Sequence, residues 1–363
     1  MTIEPVTELG GGGALRLPLR HMATAATALA LVCGLAVTGC DGGRTAGSGP
    51  AAVGPVGVVV PLLNSPFWRA YNAAIHQQAK AQRVEVLPTM NSLSDTEKQI
   101  SDIHSLIVQG AKGLVIAPVD SAAIRPGLHA ARRERVPVVA VNDVPDSGEV
   151  KMVVRADNRA YGQKACRYLG DSVKTGKVVQ IQGALASASA RDRSEGFSSC
   201  MAKNYPGVEV LDLPALWQSG KAAADLEALL STNPDIKGIY LQAGGVYLTP
   251  TLSMLRRRDA LFPLGSSKHI TIVSNDGVPQ ELDAIRKGEI DATVSQPVDL
   301  YAKYAIFYIK KAMAGQSFKP GPTDHGSTVV RLPSGLLEDR LPAPIVTKQN
   351  VNDKALWGNR VEG

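Results

Sequence analysis

Short apolar runs alternate with amphipathic segments along the chain from residue 56 onward. Runs such as VGVVV at 56–60 and GLVIA at 113–117 are continuous stretches of small and aliphatic residues, which are typical of parallel strands buried on both faces. The pattern predicts ten strands, at 56–60, 84–87, 113–117, 137–141, 152–154, 177–182, 208–211, 237–241, 270–273 and 291–295.

Helical periodicity occupies most of the intervals between these strands. The predicted helices include 67–82, 95–109, 121–134, 158–174, 192–203, 220–231 and 299–314. Such alternation indicates the α/β class with doubly wound parallel sheets. Because 363 residues exceed the roughly 250–300 that a single core serves, we expect two lobes, each with its own sheet.

In doubly wound sheets, ligands bind beyond the carboxyl ends of the strands, so candidate functional residues are those directly after each strand. None of these positions carries a glycine-rich dinucleotide loop, a P-loop or a nucleophile elbow, and the six histidines have no metal-binding spacing. We therefore expect a protein that uses no cofactor or metal and is not an enzyme. Turnover of a bound solute is the alternative.

The N-terminal segment is predicted to be a targeting signal rather than part of the fold. Two arginines precede an apolar run at 23–37, which is shorter than the ~20 residues needed to span a bilayer. The run ends in VTGC, which resembles a lipoprotein processing box with Cys40 as the acylated residue. We expect a signal peptide at 1–39, a Gly/Ala/Ser-rich tether at 40–55, and a protein held at the outer face of the cytoplasmic membrane. An ordinary signal peptide with an accidental cysteine is the alternative.

The net charge of +6 does not indicate a nucleic-acid partner. The basic clusters RRER at 132–135 and RRR at 256–258 lack interleaved aromatic residues and a nucleic-acid-binding motif. We interpret them as solvated helix ends, where cations interact favourably with the helix dipole.

Aromatic residues are only 5 % of the chain, yet two of them, Phe67 and Trp68, follow the first predicted strand where a helix begins. A third, Trp217, also follows a strand. Each of the three is either ordinary core or a flat apolar surface for a ligand, and position alone does not decide between these readings.

Four stretches resemble one family in order and spacing: LNSPFW, APVDSAAI, IQGALASASARDRSEGF and VSNDGVPQELDAIRKGEIDATVSQP. They are similar to the periplasmic ribose-binding-type sugar-binding proteins, which supply solute to ABC importers, and the likeness covers about 56–315. The resemblance implies two lobes joined by three crossings, near Ala156, Gln296 and 324–328. The implied lobes are 56–156 plus 297–325, and 157–296 plus 326–363.

The resemblance also implies a sugar site between the lobes. Aromatic rings would cover the C–H faces of the ligand while planar polar groups bind its hydroxyl rim. The implied ligand-binding residues are Ser65, Phe67, Trp68, Asn142, Asp143, Arg191, Trp217, Asp276 and Gln296. Arg193 is expected to pair with Glu195 at a helix start instead, and Trp357 to pack at the surface.

Departures from the family pattern bear on the ligand. Asp143 stands where an arginine is usual, Ala243 and Gly244 stand where Asn-Asp is usual, and Pro61 replaces a small polar residue. Because a site built for particular hydroxyls rejects ligands that lack them, we expect a polyol, hexose or glycoside rather than ribose.

The expected partner is an ABC importer permease, with a membrane receptor in a sensory role as the alternative. The chain is expected to act as a monomer. Lactose-repressor-type regulators use the same fold, but a helix-turn-helix would then precede the first lobe, where this chain has the signal and tether.

Cys166 and Cys200 are predicted to form a disulfide. They remain after Cys33 leaves with the signal and Cys40 carries lipid, and the signal implies an oxidising compartment. Each lies about two turns into its helix, and successive helices around one strand can pack side by side. Two free buried thiols are the alternative.

Overall fold

Two mainly parallel β-sheets, each flanked by helices on both faces, make up the described part of the chain. The computed structural model describes residues 54–361, so the predicted signal peptide, the lipidation at Cys40 and nearly all of the tether lie outside the described residues. Within 54–361, no helix is both long and apolar enough to cross a membrane.

The first sheet has eight strands in the order β11-β12-β13-β5-β4-β3-β1-β2. Its strands are β1 Val56–Val60, β2 Met90–Asn91, β3 Gly113–Ile116, β4 Val138–Val141, β5 Met152–Ala156, β11 Gly321–Pro322, β12 Thr328–Arg331 and β13 Leu337–Leu341. Its helices are α1 Pro66–Gln82, α2 Thr96–Val108, α3 Arg125–Arg133 and α9 Val298–Met313. Helices α1 and α9 cover one face and α2 and α3 the other, which gives one apolar core on each side.

The second sheet has six strands in the order β14-β10-β9-β8-β6-β7. Its strands are β6 Gly176–Gln182, β7 Val208–Pro214, β8 Ile236–Leu241, β9 Thr271–Asp276, β10 Ala292–Ser295 and β14 Ile345–Thr347. Its helices are α4 Asn158–Val173, α5 Ala188–Asn204, α6 Ser219–Thr232, α7 Gly244–Arg257 and α8 Pro279–Lys287. The predicted fold class, two doubly wound α/β lobes, is confirmed.

The predicted strand at 84–87 is wrong in extent. Only Val86 forms a bridge there, to Val56, and regular pairing with β1 resumes at β2. Pro88 lies between the two and has no N–H to donate to the ladder, which explains the interruption.

The chain passes between the sheets three times. It leaves the first sheet after Ala156 and returns at Gln296, which lies between β10 and α9. The third passage was expected at 324–328, but β13 pairs in parallel with β5 and therefore belongs to the first sheet. The third passage lies between Leu341 and Ile345, and the assignment of 326–341 to the second lobe is wrong.

The disulfide prediction is confirmed. Cys166 in α4 and Cys200 in α5 are bonded, with their Cα atoms 6.1 Å apart. The two helices pack side by side on the same face of the second sheet, in the core that contains both cysteines.

Candidate functional site

A cavity of about 130 Å³ lies between the lobes, at the carboxyl ends of strands from both sheets. In each sheet the first five strands of the lobe lie parallel in the order 2-1-3-4-5, so the strand order reverses next to the lobe's first strand. Ligands bind at this reversal in doubly wound folds, because adjacent connections leave the sheet on opposite faces there. Eight of the nine implied ligand residues line the cavity: Ser65, Phe67, Trp68, Asn142, Asp143, Trp217, Asp276 and Gln296.

The first lobe contributes an aromatic pair. Pro66 occupies the first turn of α1, where its missing N–H costs nothing, and Phe67 and Trp68 follow at once. Their rings meet edge to face with centroids 5.2 Å apart. Phe67 is buried, whereas Trp68 is half-buried and packs against Tyr71 behind it. The pair therefore presents a fixed apolar wall to the cavity.

The second lobe contributes Trp217 opposite this pair. Its backbone has φ 59°, in the left-handed region, and its N–H donates to the Tyr247 hydroxyl at 2.9 Å. Its ring stacks on Tyr247 with centroids 6.2 Å apart. A Cβ at Gly183 would lie 2.0 Å from the indole, so glycine is required there for the ring to lie on the end of β6.

Asp276 and Gln296 occupy the ends of neighbouring strands, since Ser295 pairs with Asp276 in register. The Gln296 amide donates to Asp276 Oδ1, and the Gly245 N–H donates to Asp276 Oδ2 at 2.9 Å. Burial raises the pKa of Asp276, while the nearby Arg193 guanidinium lowers it. The result is a desolvated carboxylate whose remaining lone pairs can accept hydroxyl hydrogens.

Arg193 lines the cavity, whereas Arg191, which the resemblance implied as a ligand contact, does not. The predicted helix 192–203 begins four residues earlier, at Ala188, with Ser187 as its cap. Residues 190, 193, 197 and 201 then form one buried face. Arg191 points away, 40 % exposed, and pairs with Asp146 at 2.6 Å. That four-residue spacing is present in the sequence and would have selected Arg193.

Arg193 is held from behind by two acceptors. Its Nε donates to Asn158 Oδ1 at 2.7 Å and its Nη1 to the Gln242 carbonyl at 2.5 Å. Its Nη2 is buried and has no hydrogen-bond partner among the described residues. The expected pairing of Arg193 with Glu195 is wrong, because Glu195 bonds Arg159 on the outer face of the helix.

Asn142 and Asp143 follow β4 in the first lobe. Asp143 accepts from the Ser189 N–H at 2.7 Å and from its hydroxyl at 3.0 Å, so this carboxylate reaches across to the N-terminus of α5 in the other lobe. Burial raises the pKa of Asp143, and the bonds from Ser189 oppose that shift. Asn142 donates to Asp143 at 3.1 Å, while its Oδ1 is buried and lacks a partner within residues 54–361.

Further contacts hold the lobes together around the cavity. The Ser121 N–H donates to the Ala186 carbonyl at 3.0 Å, and Arg155 in β5 pairs with Asp192 of α5 at 2.8 Å. The lobes are therefore closed on one another at the edge of the site.

A buried carboxyl, Glu281, lies beneath Asp276. It accepts from the Val278 N–H at 2.9 Å and from the Thr293 hydroxyl at 2.8 Å. Burial, reinforced by the charge of Asp276, raises the pKa of Glu281 and favours its neutral form. A Cβ at Gly244 would lie 2.1 Å from Glu281 Oε1, which gives a physical reason for glycine at that position.

Trp357 was expected at the surface, and that expectation is wrong. It is 3 % exposed, and its indole N–H donates to the main-chain carbonyl of Asp276 at 3.2 Å. Its ring meets Phe67 edge to face, with centroids 6.2 Å apart. Sequence position gave no signal for this contact, because Asp276 and Trp357 are 81 residues apart.

Two doubly wound lobes with a polar and aromatic cavity between their strand ends define a two-lobed solute-binding protein. Residues 56–317 match the model of the periplasmic binding protein domain. The chain therefore belongs to the periplasmic binding protein family.

Named relatives agree with this assignment. The ribose import binding protein RbsB of Bacillus subtilis is 29 % identical over 252 residues, covering 69 % of this chain and 78 % of that protein. The xylitol-binding protein of Mycolicibacterium smegmatis is 28 % identical over 287 residues, covering 77 % and 78 %. A solved ABC transporter solute-binding protein from Mycobacterium smegmatis with bound glycerol has 27 % identity and a TM-score of 0.71, covering 82 % of this chain and 95 % of that one. The resemblance to ribose-type sugar-binding proteins is confirmed.

Proposed function

We propose that this chain captures a sugar or polyol between its two lobes and delivers it to an ABC importer. The observation that carries the proposal is that aromatic residues from both lobes line one cavity that also has a polar rim. Phe67 and Trp68 come from the first lobe, and Trp217 comes from the second. The rings cover the C–H faces of a sugar, while Asp276, Arg193 and the amides bind its hydroxyls. The relatives named above are binding proteins, which supports binding rather than turnover.

The size of the cavity supports a single small ligand. The cavity of about 130 Å³ is well above the roughly 10–15 Å³ that one water needs, and it lies between lobes that are closed on one another. A single five- or six-carbon sugar or polyol is a ligand of this class.

The rim favours a ligand other than ribose. Ala243 offers no hydrogen bond to the cavity where the family pattern has an amide, and Asp143 is already bonded to Ser189. These differences change which hydroxyls the rim can match, so we expect a polyol or another sugar rather than ribose. A xylitol-binding relative supports the polyol class.

We further propose that Cys40 carries a lipid anchor and that the mature protein acts as a monomer outside the cytoplasmic membrane. The family membership of the chain supports the extracytoplasmic location. The tether at 40–55 would let the lobes reach the importer while the protein stays attached.

The test is a thermal-shift screen of the mature protein against sugars, polyols and glycosides, followed by calorimetric titration of each hit. A ligand at 100 times its dissociation constant stabilises the protein by about 2.7 kcal/mol, which raises the melting temperature by several degrees. Trp217→Ala should lose the shift, whereas Leu264→Ala, at an exposed position outside the cavity, should keep it. The proposal fails if no compound of these classes shifts the parent protein.

A further inference from the structure

The C-terminal segment 348–361 lies outside the region that matches the family domain, yet it contacts both lobes. Arg286 of α8 in the second lobe donates to Asn352 Oδ1 at 3.0 Å and to the Val351 carbonyl at 3.3 Å. At its far end, Arg360 pairs with Asp299 at the start of α9 in the first lobe. The segment therefore crosses the back of the hinge.

Trp357 lies at the centre of this crossing. It touches a ligand-site residue from each lobe: its indole N–H reaches the carbonyl of Asp276, and its ring packs against Phe67. The next residue, Gly358, lies directly on the same backbone, because a Cβ there would be 2.2 Å from the Gly277 carbonyl. The segment thus supports the ligand site from behind without lining the cavity.

The backbone of Asp276 needs such support. Its φ is 124°, a region that residues with a side chain rarely adopt and that persists only where the surroundings hold it. The Asp276 carbonyl accepts from two donors, the Gln296 N–H at 3.0 Å and the Trp357 indole. Because the carboxylate is aimed by this backbone, removing the indole donor takes away one of the two contacts that hold the carbonyl.

We propose that Trp357 is a positioning residue of the ligand site, which fixes the Asp276 carboxylate and the Phe67 ring relative to each other across the hinge. This inference rests on the proposed binding of a sugar or polyol in the cavity. Trp357→Phe retains an aromatic ring and removes the N–H donor, so it isolates the hydrogen bond. A neutral hydrogen bond corresponds to about a three- to tenfold change in affinity.

The experiment is calorimetric titration with whichever of xylitol, D-ribose and D-allose binds the parent protein most tightly. Trp357→Phe should weaken binding about three- to tenfold with little change in melting temperature, and Trp357→Ala should weaken it further. The matched control is Leu356→Ala, since Leu356 is 7 % exposed, packs in the second-lobe core and does not line the cavity. This control should lower the melting temperature and leave the affinity within twofold. Equal affinity of Trp357→Phe and parent, or an equal loss in Leu356→Ala, overturns the inference.

A second measurement needs no ligand. Hydrogen exchange of the peptide spanning 275–280 should be faster in Trp357→Phe than in the parent, and faster than in Leu356→Ala. If no compound of the thermal-shift screen binds the parent, the proposed ligand class fails, and this exchange comparison still decides the role of Trp357. Unchanged exchange in Trp357→Phe overturns the positioning role.

Discussion

Replacing Arg193 with glutamine tests which arginine serves the ligand. Two of its nitrogens are held by Asn158 and the Gln242 carbonyl, which leaves the buried Nη2 as the group that can bind a hydroxyl. Arg191→Gln is the matched control, because this side chain belongs to the same helix but lies outside the cavity.

The expected magnitudes differ clearly. Loss of a hydrogen bond from a charged group costs about 1.5–3 kcal/mol, so Arg193→Gln should weaken binding about 10- to 100-fold. Arg191 pairs with Asp146, and their side chains are 40 % and 46 % exposed. Such a pair contributes about 0–1 kcal/mol, so Arg191→Gln should change affinity by less than about fivefold.

Calorimetric titration with a compound identified by thermal shift measures both affinities, and circular dichroism checks that each variant is folded. As the pH is lowered, Arg193→Gln should lose affinity at a higher pH than the parent does. The guanidinium lowers the pKa of Asp276, so without it Asp276 is protonated at a higher pH. The reasoning is refuted if folded Arg193→Gln binds like the parent, or if Arg191→Gln shows the larger loss.

Three further predictions address pH, covalent structure and anchoring. Affinity for the ligand should fall as pH is lowered from about 7 toward about 4, because burial raises the pKa of Asp276 above the ordinary ~3.9 and protonation removes an acceptor. A dissociation constant that does not change over this range would contradict the prediction. The bond between Cys166 and Cys200 closes a loop with a sequence separation of 34, so its reduction should lower the free energy of unfolding by up to about 4 kcal/mol. Equal calorimetric melting temperatures with and without reductant would refute this. Cys40→Ala should release the protein from the membrane fraction or leave unprocessed precursor, and unchanged retention on fractionation would count against the lipid anchor.

Local pattern was sufficient for most of the elements and for the general position of the site, but β11 to β14 are not among the ten predicted strands and only one bridge forms at 84–87. Continuous apolar runs such as 56–60 predict buried strands because a strand covered on both faces has no polar side. Parallel strands also bring their carboxyl ends to one edge, so residues far apart in sequence, such as Asn142 and Asp276, could be expected near one ligand. The disulfide followed from the same geometry, since helices around one strand are neighbours.

Tertiary packing decided what local pattern left open. The third passage between lobes depends on β13 adding to the edge beside β5. This pairing joins residues 185 positions apart and has no local signature. The choice of Arg193 over Arg191 is different, because the spacing of residues 190, 193, 197 and 201 is present in the sequence and selects Arg193 once the helix is known to begin at Ala188. Trp357 reaches Asp276 only because the C-terminal segment folds back across the hinge. Sequence by itself therefore determined the buried parallel strands, most of the helices and the edge at which a ligand binds, because these follow from local periodicity. The side chains that support and complete the site were decided by long-range packing, which a single sequence does not encode in any local pattern.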